Sequence, residues 1–181
     1  MSNNKSAPRF ILLAGPNGAG KSTYYERVVK PLADRFGAEF INADVIEKQR
    51  WPNEVGIRSY EAAQIAAKMR HDHIEQGKSF VSETVFSHHS KIEQLKAAQT
   101  AGFFTHLIFV GLAAPELAVA RVAKRVEAGG HNVPKDKIHE RYFRNQQHLK
   151  TASAFVDRLD IFDNSKEGHQ YQAMMQFIRG Q

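Results

Sequence analysis

The chain has 181 residues, of which 42% are hydrophobic and 24% are charged, and this length supports one buried core rather than two domains. It contains no cysteine, which excludes disulfides, zinc–thiolate sites and thiol nucleophiles. The formal net charge of +6 favours an anionic partner without identifying it.

The beginning of the chain predicts neither an export signal nor a membrane span. Residues 1–9 are polar, and the apolar run that starts at Phe10 stops at Gly15, which is too short for either segment. We therefore expect a flexible tail over 1–9, a single domain over 10–181, a cytoplasmic location and no membrane partner.

Hydrophobic spacing and glycine stops predict strands and helices in alternation along the chain. The predicted strands are Phe10–Leu13, Ala38–Ile41, Ser79–Ser82, Phe103–Val110 and Leu159–Phe162. The predicted helices are Gly20–Phe36, a turn near Asp44, Gly56–Gln76, Ser87–Ala101, a segment that starts at Pro115 and is interrupted at Gly129, Lys135–Val156 and Tyr171–Ile178. In the helix Gly56–Gln76, the side chains expected to face the sheet are Tyr60, Ile65 and Met69.

This alternation with short loops predicts a three-layer α/β fold, in which a parallel five-stranded sheet is covered by helices on both faces. Ligands bind such sheets at the carboxyl ends of the strands. The residues that directly follow each predicted strand are therefore the candidates for a functional site.

The segment after the first strand is a phosphate-binding loop. It reads Gly-Pro-Asn-Gly-Ala-Gly-Lys-Ser, which matches G-x-x-x-x-G-K-[ST], and it lies between a strand and a helix as such a loop requires. Its glycines let backbone N–H groups point at phosphate oxygens, at the positive end of the helix dipole. The residues predicted to bind the nucleotide here are Gly15, Pro16, Asn17, Gly18, Ala19, Gly20, Lys21, Ser22 and Thr23.

Two side chains of this loop are expected to carry its chemistry. Lys21 would neutralise the β and γ phosphates as a catalytic residue, and the Ser22 hydroxyl would ligate Mg²⁺. The sequence motif GPNGAGKST also occurs in transporter-type ATPases, but those domains are longer and carry a second, LSGGQ-like motif that this chain lacks. A P-loop NTPase or kinase fold of this size indicates a small-molecule kinase.

Carboxylates follow the next two predicted strands. Asp44 lies where it could accept the proton of an acceptor hydroxyl or cap the following helix, and we favour the catalytic base. Glu83 and Thr84 follow the third strand and are predicted to bind the acceptor. Two other interpretations of Glu83 stay open: it orders Mg²⁺ through a water, or it pairs with Lys21 or an arginine.

Arginines flank a glycine-rich segment in the second half of the chain. Arg121 and Arg125 are four residues apart on one predicted helix, and Arg141 and Arg144 are three apart on the next. The segment Gly-Gly-His-Asn-Val-Pro lies between them, so we expect a hinge or lid near 125–141. We favour Arg125 and Arg141 as catalytic contacts of the γ-phosphate, with a solvated surface position as the alternative.

Two further sets of residues give weaker signals. Asn164 follows the fifth strand, where it either borders the adenine of a nucleotide or belongs to a simple turn. Histidines occur as the pairs His71 with His73 and His88 with His89, and at these spacings two side chains point to different faces of a helix. We interpret them as surface or capping residues rather than metal ligands.

With GPNGAGKST, FINADVI, FVSET, RVAKRVEAGGHNVP and ERYFRN in this order, the chain resembles a compact branch of the zeta toxin family of P-loop kinases. The resemblance implies phosphorylation of the sugar of UDP-N-acetylglucosamine from ATP or GTP, and an antitoxin protein that holds the kinase inactive. The roles that it implies are donor binding for Lys21 and Ser22, general base for Asp44, acceptor binding for Glu83 and Thr84, and γ-phosphate contact for Arg125 and Arg141.

Three functions are open at this stage. The leading hypothesis is an ATP-dependent, Mg²⁺-requiring kinase of a UDP-activated sugar. The second is a kinase of another acceptor, such as a nucleoside, an antibiotic hydroxyl or a polynucleotide end. The third is a nucleotide-dependent interaction module with slow ATPase activity. Binding of nucleic acid as such is a minor interpretation, because the basic residues are spread over several helices.

Overall fold

The structure is a computed structural model that describes residues 6–130, 132–166, 168 and 170–179. Residues 1–5 of the predicted tail and His131 of the predicted hinge lie outside this description. The strands are β1 (Arg9–Ala14), β2 (Glu39–Ile41), β3 (Phe80–Thr84), β4 (Phe104–Gly111), β5 (Arg158–Asp163) and β6 (Gln172–Ile178). The helices are α1 (Lys21–Tyr24), α2 (Lys30–Asp34), α3 (Ala43–Arg50), α4 (Ser59–Glu75), α5 (Ser90–Thr100), α6 (Pro115–Glu127) and α7 (Lys135–Ser153), with a π-helical turn (Tyr25–Val29) between α1 and α2.

The strands form one six-stranded sheet in the order β2-β3-β1-β4-β5-β6. The first five strands are parallel, and β6 is antiparallel to β5. The predicted α/β class with a parallel sheet is therefore confirmed, but the predicted count of five strands is one short.

The missing strand is β6, where the sequence predicted a helix over Tyr171–Ile178. Nearly all of its residues are exposed, so no buried face distinguishes a helical from an extended period in this segment. The strand is selected by pairing with the edge of β5, with a register shift between Ile161 and Phe162. That pairing gives hydrogen-bond partners to the backbone N–H and C=O groups of β5, which would otherwise be the unpaired edge of the sheet.

Side chains of β1 supply both hydrophobic cores, because successive residues of a strand point to opposite faces. Phe10, Leu12 and Ala14 pack with buried residues of α3, α4 and α5 on one face. Ile11 and Leu13 pack with buried residues of α1, α2 and α6 on the other face. Helix α7 contributes to both cores. A strand buried on both sides explains the continuous apolar run in the sequence.

One prediction about helix orientation is wrong. Ile65 and Met69 pack against the core as expected, but Tyr60 is 73% exposed. Tyr60 lies five residues before Ile65, which places its side chain about 140° away around a helix with roughly 100° per residue. The apolar face of α4 is instead continued by Ala62 and Ala66, which are fully buried.

Candidate active site

The phosphate-binding loop joins β1 to α1 at the carboxyl edge of the sheet. Gly15 has a φ of 144°, and a Cβ there would lie 2.1 Å from the carbonyl oxygen of Val110 on β4. Gly20 has a φ of 88°, and a Cβ there would lie 2.7 Å from Nδ2 of Asn164. Both positions therefore require glycine, because the neighbouring strand end and the Asn164 side chain leave no room for a side chain.

Lys21 is buried at the base of this loop. Its ammonium donates hydrogen bonds to the carbonyl oxygens of Gly15 at 3.0 Å and Pro16 at 2.9 Å. Burial lowers the pKa of Lys21; the negative charge of Glu83 opposes that shift, and the positive charge of Arg125 adds to it. Those charges place Lys21 in the same electrostatic site as Glu83 and Arg125.

Ser22, Glu83 and Asn42 form a hydrogen-bonded group beside the lysine. The Ser22 hydroxyl donates to the Glu83 carboxylate, with Oγ 3.1 Å from Oε1 and 3.2 Å from Oε2. The Asn42 side chain donates from Nδ2 to Oε2 of Glu83 at 3.2 Å. A hydroxyl and a carboxylate held together at the start of a phosphate-loop helix are ligands that fit Mg²⁺. Of the three interpretations of Glu83, this arrangement favours the one that involves the metal.

Asp44 lies in the first turn of α3 and is not the residue that caps the helix. The cap is Asn42, whose Oδ1 accepts hydrogen bonds from the backbone N–H groups of Asp44 at 2.8 Å and Val45 at 3.3 Å. The alternative interpretation of Asp44 as an N-cap is therefore wrong, because Asn42 fills that position two residues earlier. Asn42 is not among the site residues predicted from the sequence, although an asparagine directly before a helix is a common capping signal.

A cleft of about 470 Å³ brings these groups together. Its walls come from the phosphate loop, from the start of α3, from the end of β3 and from α6. The residues that line it are Asn17, Gly18, Gly20, Lys21, Ser22, Thr23, Asn42, Ala43, Asp44, Glu83, Thr84, Val85, Arg121 and Arg125. Both proposed carboxylates thus lie on the walls of one cleft with the donor loop, as the positions of the strand ends predict.

The four arginines do not lie together. Arg121 and Arg125 share one face of α6 and both line the cleft. Arg121 also donates to the carbonyl oxygen of Ser165 at 3.3 Å, which connects α6 to the segment after β5. Arg141 and Arg144 lie on α7 and are not among the residues that line the cleft. Of the two arginines favoured as γ-phosphate contacts, Arg125 thus lines the cleft and Arg141 does not, whereas Arg121, which was not favoured, does.

Asn164 is hydrogen-bonded to the backbone of the phosphate loop and is not among the residues that line the cleft. Its buried side chain donates from Nδ2 to the carbonyl oxygen of Ala19 at 2.8 Å, and its Oδ1 accepts from the backbone N–H of Tyr171 at 3.3 Å. The Tyr171 hydroxyl donates to the carbonyl oxygen of Gly20 at 2.9 Å. Tyr171 is not among the site residues predicted from the sequence, because no local signal indicates that a residue 151 positions away from Gly20 contacts it.

The sequence model of the family described as Zeta toxin matches residues 1–176. The chain belongs to the zeta toxin family. A relative of this family member in Haemophilus influenzae, described as an uncharacterized protein, is 31% identical over 132 residues. The matched region covers 73% of this chain and 91% of the relative.

Solved structures resemble this zeta toxin family member in fold. A chain of the AvrRxo1-ORF1:AvrRxo1-ORF2 complex has a TM-score of 0.75 at 16% identity, covering 98% of this chain and 61% of that chain. The PezAT toxin–antitoxin system of Streptococcus pneumoniae gives 0.66 at 18% identity, covering 97% and 75%. A putative kinase of Chloroflexus aurantiacus gives 0.55 at 18% identity, covering 76% and 78%. These likenesses confirm the P-loop kinase fold.

Two further expectations for this zeta toxin family member concern metals and membranes. Among the described residues, no group of three or more His, Cys, Asp or Glu side chains could hold a metal ion. Several histidines instead pair with glutamates, as His71 does with Glu75 and His89 with Glu93. Within the same part of the chain, no helix has both the length and the apolar character needed to cross a membrane.

Proposed function

We propose that this zeta toxin family member is a kinase that transfers the γ-phosphoryl group of Mg²⁺-bound ATP or GTP to a hydroxyl of a small acceptor. The observation that carries this proposal is the single cleft in which Lys21, the Ser22–Glu83 pair and Asp44 meet. A donor loop alone would suit many nucleotide-binding proteins. An exposed carboxylate opposite that loop, on a different element, is what a transferase needs for its acceptor.

The donor half would work as follows. The ammonium of Lys21 would turn from the carbonyl oxygens of Gly15 and Pro16 to the β and γ phosphates. Mg²⁺ would be held by the Ser22 hydroxyl and the phosphates, with Glu83 ordering one of its waters, and it would supply charge neutralisation during transfer. The nucleotide donor is supported by the AvrRxo1-ORF1:-ORF2 complex, a structural neighbour that was solved with ATP.

The acceptor half would be built around Asp44, with Thr84 and Asn42 on the neighbouring wall of the cleft. The Asp44 carboxylate would take the proton of the acceptor hydroxyl as its oxygen forms a bond to the γ-phosphorus, and the bond from that phosphorus to the bridging oxygen breaks. Arg125, and Arg121 beside it, would stabilise the charge on the transferring group. The proposed role of Arg141 requires that the segment between α6 and α7 closes towards the cleft.

We take a UDP-activated sugar, such as UDP-N-acetylglucosamine, as the first acceptor to test, because the chain belongs to the zeta toxin family. Membership also motivates a search for an antitoxin partner, since a neighbouring structure is described as a toxin–antitoxin system. Nucleosides, hydroxylated antibiotics and polynucleotide ends belong in the same acceptor panel. If the chain were instead an interaction module, it would hydrolyse ATP slowly and phosphorylate none of these acceptors.

The test is phosphoryl transfer from labelled ATP to this panel, for the unaltered chain and for Asp44→Asn. We expect a phosphorylated product with at least one acceptor, and a loss of kcat of about 10²–10⁴-fold in Asp44→Asn, with nucleotide affinity unchanged. Asp34→Asn is the matched control, because Asp34 is an exposed aspartate at the end of α2. Transfer by Asp44→Asn at the unaltered rate would contradict the proposed base.

A further inference from the structure

Arg70 is a buried guanidinium for which the described part of the chain offers no counter-charge. It lies on α4, and only 6% of its surface is exposed. Its Nε has no hydrogen-bond partner, and no carboxylate of the described residues forms an ion pair with it. Burial alone lowers the pKa of Arg70 to about 10. A cation in this position is costly unless an anion accompanies it.

A second cation lies close to the first. Lys91, in the first turn of α5, is half-buried, and burial together with the positive charge of Arg70 lowers its pKa to about 8. One turn further along α5, the side-chain oxygen of Gln94 is also buried without a partner. Residues three apart on a helix share a face, so Gln94 lies on the same side of α5 as Lys91. An amide oxygen only accepts hydrogen bonds, so this atom calls for a donor, such as the Lys91 ammonium, and is not itself an anion ligand.

The effect of the Arg70 charge on Lys91 indicates that this face of α5 lies on the side of α4. The opposite flank of α5 is occupied by α7 and the residues after it, because His89 contacts the ring of His148 and Gln99 donates to the carbonyl oxygen of Phe155. On α4, Arg70 lies one turn after Ala66, which is fully buried in the same core as Ile92 of α5. The two cations are therefore placed between two helices that share one core on one side of the sheet.

We infer that Arg70 and Lys91 form a second anion site that takes a phosphate or phosphate-ester group between α4 and α5. Two cations with no carboxylate between them favour a dianion, and a guanidinium offers a planar set of donors that matches phosphate oxygens. The positive end of the α5 dipole, one residue before Lys91, adds to the attraction. This site is independent of the donor loop and does not rest on the proposed kinase activity.

The location suggests two sources for such a group. Helix α5 follows Thr84 and Val85, which line the catalytic cleft, so an acceptor in the cleft that carries a phosphate could reach the second site. A free phosphate or phosphorylated metabolite that binds only here is the other source. Both present the same chemistry to Arg70 and Lys91, and they differ in whether the anion and the acceptor hydroxyl belong to one molecule.

The binding test uses the full chain, inorganic phosphate and pyrophosphate, with thermal unfolding and calorimetric titration as readouts. In phosphate-free buffer we expect Arg70→Met to unfold at a higher temperature than the unaltered chain, because the variant no longer buries an unpaired charge. Its affinity for the second anion should fall at least tenfold, whereas Lys21→Ala should retain that site and lose the donor-loop site. Lys96→Met is the matched control, since it removes an exposed lysine of the same helix α5.

Lys91→Met gives the same test at a half-buried position, so the inference stays falsifiable if Arg70→Met does not fold. A phosphate-induced stabilisation that is the same in both variants as in the unaltered chain would overturn the inference. In transfer assays, a tenfold rise in acceptor KM confined to phosphorylated acceptors would identify the acceptor as the source. An effect of added phosphate that requires Arg70, with acceptor KM unchanged, would identify a free anion. If no acceptor is phosphorylated, the proposed kinase function is contradicted, but the phosphate titration still tests the second anion site.

Discussion

Two carboxylates of the cleft have different surroundings, and these surroundings separate their chemistry. Glu83 accepts hydrogen bonds from Ser22 of the phosphate loop and from Asn42, so both of its carboxylate oxygens already have partners. Asp44 is exposed in the cleft wall, on a helix whose cap is provided by Asn42. An enzyme with two acidic side chains assigns roles through such differences in environment. Here the arrangement supports a metal-ordering role for Glu83 and a proton-accepting role for Asp44.

The first prediction at this scale concerns the backbone of the phosphate loop. Gly15→Ala would place a methyl group 2.1 Å from the Val110 carbonyl oxygen, which forces β1 and β4 apart. We expect a loss of at least about 3 kcal/mol in the free energy of unfolding, measured with urea. Gly37→Ala is the control, because Gly37 also has a positive φ but has open space around its Cβ position. It should cost only about 1 kcal/mol, the backbone strain alone.

Equal losses of stability in these two variants would contradict the close approach of β4 to the loop. The comparison separates two effects that any glycine substitution mixes. One is the cost of a left-handed backbone for a residue with a side chain, and the other is collision with a neighbouring strand.

At the scale of elements, what the sequence predicts depends on how local the signal is. The strand β1, the phosphate loop and the alternation of strands with helices are read from neighbouring residues, and the structure confirms them. Strand β6 is exposed along nearly its whole length, so its identity depends on pairing with β5 rather than on its own pattern. The same holds for Asn164 and Tyr171, whose contacts join the end of the chain to the loop.

The next prediction tests this support of the loop. Tyr171→Phe removes only the hydroxyl that donates to the Gly20 carbonyl oxygen. We expect the free energy of unfolding to fall by about 1 kcal/mol and nucleotide affinity to weaken several-fold, because the loop loses one of its fixed contacts. The measurements are urea unfolding and calorimetric titration with ATP. Tyr60→Phe, at an exposed position of α4, should change neither quantity. An unchanged affinity in Tyr171→Phe would contradict the proposed support of the loop by Tyr171.

At the scale of the whole molecule, a buried pair in the sheet predicts sensitivity to acid. His106 on β4 and Asp160 on β5 are both buried, with Nε2 and Oδ2 2.7 Å apart. Burial lowers the pKa of His106 against the opposing effect of Asp160. Burial would raise the pKa of Asp160, but hydrogen bonds from His106 and Arg158 lower it overall. At neutral pH the pair is therefore a neutral imidazole that donates to a carboxylate.

Both shifts have the same consequence for stability. Below a pH of about 6.5 the unfolded chain protonates His106 while the folded chain resists protonation, so the unfolded state binds more protons and stability falls as pH falls. Asp160 adds a second loss at lower pH, as pH falls through its folded pKa. Between pH 7 and pH 5, the free energy of unfolding of the unaltered chain should fall with pH. His106→Gln should reduce the slope of that fall by up to about 1.4 kcal/mol per pH unit. Urea unfolding at the two pH values measures it, and equal slopes would contradict the assignment.

The last prediction joins the site to the stability of the entire chain. A ligand that binds only the folded state at 100 times its Kd adds about 2.7 kcal/mol, which for a domain of this size raises Tm by roughly 5–10 °C. We expect this shift with ATP and Mg²⁺, and its loss in Lys21→Ala. Chelation of Mg²⁺ and Glu83→Gln should each reduce the shift by at least half, because Glu83 holds the Ser22 hydroxyl that we propose as a metal ligand. Glu93→Gln, a control at an exposed position of α5, should retain the full rise in Tm. A shift that is indifferent to both chelation and Glu83→Gln would mean that the nucleotide binds here without the metal, and the donor half of the proposed mechanism would fail while the phosphate loop itself would stand.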